Sequence, residues 1–291
     1  TGKALAIFGS ALVGGLTYTF SDTFWFSAVE GEVYAMSSFF TALVFWCILK
    51  WDFEYDNPKP DTNPNRWIVL IAYLIGLSIG VHLLNLLTIP AVVLIVYFKL
   101  SKKASVYGVA LTVCILSFFA AFFFPVLAML AIWAFITIPL AVVCYKHDTF
   151  RSGAEWGVLL ALGGAFVIVG LVLWGIIPMI VSLAGHFEQF FVNTFGLPFN
   201  SGTFIFFALV AALIFTGLWF GYKRRKQLLL AGTYCLLFLL IGYSTFFILV
   251  IRSNANPTID ENNPEASVSL LSYLNLNQYG KTSFLYATTH H

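Results

Sequence analysis

Charged residues are scarce in this chain of 291 residues. Only 10% of them are Asp, Glu, Lys or Arg, whereas 60% are hydrophobic and 31 are phenylalanine. Soluble domains usually carry about one quarter charged residues. Because one water-soluble core cannot bury so much apolar surface, the composition excludes an ordinary soluble protein and predicts an integral membrane protein.

Cysteine-based and nucleotide-binding motifs are also missing. The sequence has four cysteines that lie in or beside apolar segments, and their spacing fits no zinc or redox motif: Cys47, Cys114, Cys144 and Cys235. There is no phosphate-binding glycine loop, no H-E-x-x-H and no G-x-S-x-G motif. We therefore interpret the cysteines as small buried hydrophobes and expect no metal site and no cofactor.

Long apolar runs dominate the chain, and runs of about 17 to 25 residues can cross a bilayer as helices. Nine segments are candidates, at about 3–20, 36–51, 67–82, 84–100, 105–122, 124–145, 156–182, 203–222 and 228–250. The predicted fold class is therefore all-α, a polytopic helical bundle. Residues 1–251 form its transmembrane core, and residues 252–291 begin a segment outside the membrane.

The positive charges give these nine spans an orientation. If the N-terminus is cytoplasmic, 13 of the 15 Lys and Arg residues lie at the N-terminal edge or in or near the cytoplasmic loops, and only Arg252 and Lys281 lie elsewhere. Residues 21–36, 184–202 and the tail from Arg252 then face the outside. The basic run KRRK at 223–226 is interpreted as a topology anchor, with an anionic-lipid contact as the alternative.

Three acids occur in the outer segment SDTFWFSAVEGEVYAM at 21–36, which has no Lys or Arg: Asp22, Glu30 and Glu32. The segment predicts an amphipathic helix on the membrane surface, with Ser21 or Asp22 as its N-cap. On one helix Glu30 and Glu32 would point about 200° apart, and Tyr34 would lie near the face of Glu30. Either the helix is simply solvated, or one acid faces a polar cavity.

Two further polar sets lie at outer ends of predicted spans. His82 and Asn85, three residues apart, are expected to be neighbours on a helix, where they either satisfy a hairpin backbone or form the wall of a cavity. The loop 184–202 carries His186, Glu188, Asn193 and Asn200 among phenylalanines. This loop is either a packed interfacial segment, or Asn200 and its neighbours line a lipid or sugar entry.

Arg252 stands alone directly outside the last span. A guanidinium binds phosphate oxygens in a bidentate fork, so a phosphate is one explanation for a cation at this place. Pairing with Asp260 or Glu261 is the other. The next residues, SNANPTIDENNPE, predict a non-helical strap, and ASVSLLSYLNLNQYG predicts a short amphipathic helix.

Four stretches carry a family resemblance: FSDTFWFSAVEGEVYAMSSFFTALVFW, LIAYLIGLSIGVHLLNLLTIPA, FVNTFGLPFNSG and IRSNANPTIDENNPE. They resemble a bacterial family of large multi-span proteins of formerly unknown function, related to the eukaryotic protein O-mannosyltransferase that modifies IPT domains. The resemblance covers most of the chain, more weakly from about 104 to 155. It implies a GT-C glycosyltransferase fold in the bacterial inner membrane, with the tail in the periplasm.

The resemblance also implies a reaction. Enzymes of this type move a sugar, here by analogy mannose, from a polyprenyl-phosphate donor to a hydroxyl of an exported or membrane protein, with inversion and on the outer side of the membrane. An outside arginine holds the donor phosphate, which assigns that role to Arg252. Asp22, Glu30, Glu32, Tyr34, His82, Asn85 and Asn200 are then candidates to line the substrate cavity.

One expected motif is missing. In the family the general base belongs to an Asp followed closely by Gly-Glu on the first outside loop, and the Glu-Gly-Glu at 30–32 is not that motif. We therefore expect a fragment that lacks the first spans, with its catalytic base upstream and no activity alone. His290 and His291 are either the end of a purification tag or native residues, and no role is assigned to them.

Two other functions stay open. A non-catalytic membrane scaffold of an envelope assembly fits the missing acidic motif. A transporter fits less well, because the ionisable side chains lie at the ends of the spans and in loops rather than in mid-span.

Overall fold

A computed structural model describes residues 2–101, 154–260 and 263–274 of the chain. Within these ranges all regular structure is helical, in eleven α-helices that we number in chain order. They are α1 Gly2–Thr19, α2 Asp22–Val29, α3 Tyr34–Asp56, α4 Arg66–Ile79, α5 Thr88–Leu100, α6 Ala154–Gly170, α7 Ile177–Phe195, α8 Ser201–Lys223, α9 Gln227–Tyr243, α10 Ile248–Ser253 and α11 Ser267–Leu274. Short 3-10 turns precede α5 and α10, and the π-helical segment Leu171–Ile176 joins α6 to α7.

Five continuous helices among the described residues are long and apolar enough to cross a membrane. They are Tyr34–Asp56, Leu83–Leu100, Leu160–Phe195, Ser201–Lys223 and Gln227–Ser253. A sixth is obtained if α1 and α2, which meet at a bend of 60°, form one broken span, and Arg66–Ile79 is a shorter apolar helix. Seven of the nine predicted spans thus correspond to helices, and the predicted spans 105–122 and 124–145 lie outside the described residues.

The chain divides into two units, of which the first comprises residues 1–86 and 234–245. Its core lies between α3 and α4, where Val44, Ile48 and Trp51 are almost fully buried. The end of α9 packs directly on α4, because a Cβ at Gly242 would collide with the backbone of Tyr73. Such glycine contacts let membrane helices approach to backbone distance, since lipid offers no hydrophobic force to hold them together.

The second unit comprises residues 87–233 and 246–291. Here α7 packs against α8 and α11, and α5 packs against α6. A Gly-x-x-x-Gly motif, Gly217 and Gly221, brings α8 close to Thr233 and Leu230 of α9. Small residues four apart form a groove along one helix face, so this hairpin is closely packed next to its turn.

Residues 184–202, predicted as a loop, are helical as far as Phe195. The helix ends only at Gly196, which has a φ of 65°, and the remaining turn is short. The buried positions Val181, Ala184, Gly185 and Glu188 recur at helical spacing and face the rest of the unit. The continuous helix Leu160–Phe195 has 36 residues, about 54 Å of rise, so its end extends past a hydrocarbon core of about 30 Å.

Candidate functional site

The acidic segment 21–36 contains a helix shorter than the one predicted. Helix α2 ends at Val29, and Glu30 and Glu32 lie in the linker before α3, on either side of Gly31 with its φ of 70°. The predicted separation of about 200° assumed one continuous helix, so it does not apply. Ser21 occupies the N-cap position of α2, but its hydroxyl donates to the Tyr18 carbonyl at 2.7 Å.

All three acids of this segment are exposed. Asp22 is the first residue of α2, and Glu30 and Glu32 follow its end. No hydrogen bond or ion pair between these carboxylates and the described part of the chain is seen. They are therefore available to solvent or to a ligand rather than used in holding the fold.

Tyr34 and His82, two predicted site residues, come together in the first unit. Their ring centroids lie 5.6 Å apart, and Tyr34 is 44% exposed at the start of α3. The Leu84 backbone N–H donates to His82 Nδ1 at 3.0 Å. Because Nδ1 accepts this bond, a neutral His82 carries its proton on Nε2, which is then a hydrogen-bond donor. The pair forms an aromatic and polar edge that directly follows the linker with Glu30 and Glu32.

Asn85, in contrast, is a fully buried amide. Its Nδ2 donates to Ser78 Oγ at 3.0 Å, and its Oδ1 lies 3.3 Å from the Thr41 hydroxyl. The contacts connect the 3-10 turn Leu83–Leu87 to α3 and α4. His82 lies before this turn rather than on the same helix. The geometry supports the interpretation of Asn85 as a buried structural residue, while His82 is the partly exposed member of the predicted pair.

Glu188 is the centre of a polar cluster among the described residues of the second unit. Its side chain is 4% exposed, and its two carboxylate oxygens accept the backbone N–H groups of Asn200 and Thr203 at 2.5 and 2.8 Å. The Thr203 hydroxyl donates to the same carboxylate at 3.1 Å. These are the N–H groups that a helix start leaves without partners, so α7 supplies the cap of α8.

Asn200 acts in this cluster through its backbone. It occupies the N-cap position of α8 with a φ of 71°, and its side chain makes no cap hydrogen bond. The side chain is exposed, so its predicted place at a lipid or sugar entry stays a prediction. Sequence reasoning named Glu188 but missed its role, because its partners lie 12 and 15 residues away and no local motif connects them.

The Glu188 cluster also reaches the tail. The Thr203 hydroxyl lies 3.1 Å from the Ser267 hydroxyl at the start of α11. Val268 of α11 packs over Gly185, which leaves room for it on α7. A short helix was predicted in this part of the tail, and Ser267–Leu274 is helical with Leu270 buried. The tail is therefore attached to the membrane helices of its own unit.

Arg252 is exposed in the last turn of α10. Of its two predicted partners, Asp260 instead accepts the Ser253 hydroxyl at 2.8 Å, and Glu261 lies outside the described residues. In the described part of the chain no ion pair involves Arg252. The next residue, Ser253, is buried and also lies 3.0 Å from Asn263 Oδ1. The guanidinium thus projects from a backbone that the strap holds in place.

An apolar groove of about 410 Å³ follows α7. Its lining residues are Leu183, His186, Phe187, Phe190 and Phe191. His186 Nδ1 donates to the Ser182 carbonyl at 2.7 Å, which leaves Nε2 as the acceptor of a neutral ring. The groove therefore combines an apolar wall with one exposed imidazole.

The described residues lack the side-chain groupings that bind metal ions. In residues 2–101, 154–260 and 263–274, no group of three or more His, Cys, Asp and Glu side chains is arranged to hold a metal. Cys47 and Cys235 are free thiols, and Cys114 and Cys144 lie outside those ranges.

The helices define an all-α polytopic membrane protein. Residues 1–106 match the family model described as "Protein O-mannosyl-transferase TMEM260 N-terminal domain". The predicted relation to the eukaryotic O-mannosyltransferase family is confirmed over this stretch, and it supports a glycosyltransferase-like role. No curated protein and no solved structure gives a significant match to the chain.

Proposed function

We propose that the full-length protein is a membrane glycosyltransferase of the GT-C type. It moves a sugar, mannose by analogy with the matched family, from a polyprenyl-phosphate donor to a protein hydroxyl, with inversion and on the periplasmic or lumenal side. The host membrane is a bacterial inner membrane. The observation that carries this proposal is the match of residues 1–106 to the O-mannosyltransferase domain.

The donor phosphate is assigned to Arg252. Its guanidinium is exposed at the end of a membrane helix and lacks an ion pair among the described residues. Ser253 and Asp260 immobilise the adjacent backbone through a 2.8 Å hydrogen bond. An exposed guanidinium without an ion pair gives up no internal partner when it forms a bidentate phosphate contact, and the hydrogen-bonded neighbour reduces the backbone freedom that is lost on binding.

The apolar part of the donor is assigned to the groove on α7. A polyprenyl chain is a branched hydrocarbon, and phenylalanine and leucine side chains form most of the groove. Since α7 and Arg252 belong to the same unit, the two assignments concern one body of the protein. The tail is attached to this same unit by the contact between the Thr203 and Ser267 hydroxyls.

The sugar or the acceptor is assigned to the edge formed in the first unit. Tyr34 and His82 offer a ring face and an Nε2 proton, and Glu30 and Glu32 offer exposed carboxylates in the linker that precedes Tyr34. Hydroxyl-rich ligands are bound by such donors and acceptors around an aromatic surface. Asp22 and Asn200 remain predicted cavity residues, and Asn85 supports the edge from within the core.

Donor binding by arginine variants tests the phosphate assignment. We expect Arg252→Ala to weaken binding of labelled polyprenyl-phosphate-mannose by the full-length protein in detergent, by about tenfold or more, since a charge-assisted hydrogen bond contributes about 1.5–3 kcal/mol. Arg252→Lys keeps the charge but loses the fork, so it should restore only part of the affinity.

Arg66→Ala is the matched control. Arg66 is a half-exposed arginine at a helix start that already pairs with Glu54 at 2.8 Å, so its loss should leave donor binding unchanged. Equal binding by wild type and Arg252→Ala would remove the assignment of Arg252. If the wild type binds neither this donor nor other lipid-linked sugars, the scaffold hypothesis replaces the enzyme.

A further inference from the structure

The turn between α8 and α9 carries a dense positive charge among the described residues of the second unit. It contains four successive cations, Lys223 to Lys226, all of them exposed. The sequence has no Asp or Glu anywhere from 189 to 259, so neither helix of this hairpin supplies a counter-charge. In the described residues none of the four makes an ion pair.

The backbone of this turn is specific. The Lys226 N–H donates to the Gly221 carbonyl at 3.0 Å, and the Arg225 N–H donates to the Tyr222 carbonyl at 3.2 Å. This pattern is a Schellman end, in which one residue adopts a left-handed conformation that glycine normally occupies. Here that residue is Arg225, with a φ of 51°. A side chain at this place is strained, so the cation is kept at a cost to the fold.

Aromatic rings surround the cations. Lys223 Nζ lies 4.6 Å from the ring centroid of Trp219, and Arg224 lies 5.5 Å from that of Phe220. Trp219 and Tyr222 are 52% and 79% exposed. Tryptophan and tyrosine favour the headgroup level of a bilayer, where the polar part of each ring meets water and the rest meets lipid. The turn lies between two membrane-spanning helices and therefore at that level.

We propose that this turn is a binding site for the phosphate of an anionic lipid headgroup, such as phosphatidylglycerol, in the leaflet that the turn meets. Arg224 and Arg225 supply forked donors for the phosphate oxygens, and the lysines add positive charge. Trp219 and Tyr222 lie beside the acyl chains of the same lipid. The close packing at Gly217 and Gly221 fixes the turn relative to both helices, so the cations are presented as a set. This site does not depend on the proposed sugar transfer.

The test compares lipid retention and stability in Arg225→Gly. Glycine removes one cation and the backbone strain. The loss of the cation is measured by lipid retention, and the relief of strain is measured by the melting temperature. In nanodiscs of phosphatidylcholine with phosphatidylglycerol, retention of phosphatidylglycerol by the full-length protein is measured by mass spectrometry after exchange into detergent. We expect the variant to retain it about fivefold less well, because one charge-assisted contact to the phosphate oxygens is lost. The melting temperature in pure phosphatidylcholine should stay equal or rise.

Lys59→Gln is the control for general charge attraction, because Lys59 is exposed in a loop predicted to lie on the same side. Its retention of phosphatidylglycerol should change by less than about twofold, because an exposed loop cation outside the site has only a screened attraction to the membrane surface. Equal losses in both variants would overturn the site in favour of general surface charge. Unchanged retention in Arg225→Gly would overturn it as well, and so would full competition by soluble glycerol phosphate, which would show that the site does not need a lipid.

Discussion

Glu188 and Arg252 show two opposite uses of charge beside a membrane. Glu188 is buried, and its carboxylate accepts three hydrogen bonds from Asn200 and Thr203. Its negative charge also lies at the N-terminus of α8, where the helix dipole favours it. Arg252 is exposed and lacks an ion pair among the described residues. The first charge is used by the fold, and the second is available to a ligand.

Truncation of Glu188 should therefore destabilise the protein. We expect Glu188→Ala to lower the free energy of unfolding by about 2 kcal/mol, because a helix cap is lost and buried N–H groups are left unpaired. Glu188→Asp should recover part of this loss. Thermal unfolding in detergent measures the effect, with Gln189→Ala, an exposed neighbour on the same helix, as the control. Equal melting temperatures for Glu188→Ala and wild type would contradict the capping role.

Most of the described helices can be predicted from the sequence, whereas the residues at which they end cannot. Apolar runs predicted seven helices that the described residues contain, because a bilayer forces a buried backbone into helices. The residues from His186 to Asn193 look polar enough for a loop, yet α7 continues through them. Packing of Glu188 against α8 makes this extension favourable, and such a contact between distant residues leaves no local pattern.

In the candidate site, too, some features can be predicted from the sequence and others depend on how the helices pack. The sequence predicts that the acids at 21–36 and Arg252 lie outside the apolar spans, but it leaves open whether they are solvated, paired or in a cavity, and all of them are exposed. The contact between Tyr34 and His82, and the burial of Asn85 against Ser78, depend on how α3 and α4 pack. The spacing of His82 and Asn85 alone could not separate these roles, because it assumed one regular helix where a turn occurs.

Glycine contacts hold the elements of the first unit together. A Cβ at Gly242 would collide with the Tyr73 carbonyl and the Leu77 N–H of α4, and backbone atoms cannot move aside as a flexible side chain can. We expect Gly242→Ala to lower the free energy of unfolding by about 1–3 kcal/mol. Gly232→Ala on the same helix is the control, since nothing lies within 4 Å of its added Cβ. Equal melting temperatures for Gly242→Ala and Gly232→Ala would show that α4 and α9 are not in backbone contact.

At the scale of the whole molecule, the match to the O-mannosyltransferase domain covers some of the candidate residues, and the other candidates lie outside it. The match covers residues 1–106, which include the acids, Tyr34 and His82. Arg252, the groove on α7 and the Glu188 cluster all lie beyond it. The match therefore supports the proposed role, and the assignments of Arg252 and of the groove depend on their own tests.

The orientation of the chain is testable with single cysteines. Glu30 and Lys59 are exposed on opposite sides of the span Tyr34–Asp56. In a variant without its native cysteines, we expect a membrane-impermeant thiol reagent to label Glu30→Cys in cells whose inner membrane is intact. Lys59→Cys should react only after that membrane is opened, because basic loops stay in the cytoplasm. The reverse pattern would show that the topology is inverted.

Sugar transfer itself is the measurement that tests the central claim most directly. The full-length protein, reconstituted in liposomes, is supplied with polyprenyl-phosphate-[14C]mannose and an exported acceptor protein from the same cell. We expect labelled mannose on hydroxyl side chains of the acceptor, with inverted configuration at the anomeric carbon, and a rate of transfer at least about tenfold lower in Arg252→Ala. The control is that the wild-type protein melts cooperatively and binds the donor. If such protein transferred the sugar neither to a panel of acceptors nor to water, it would not be an enzyme, and a lipid-binding scaffold would remain.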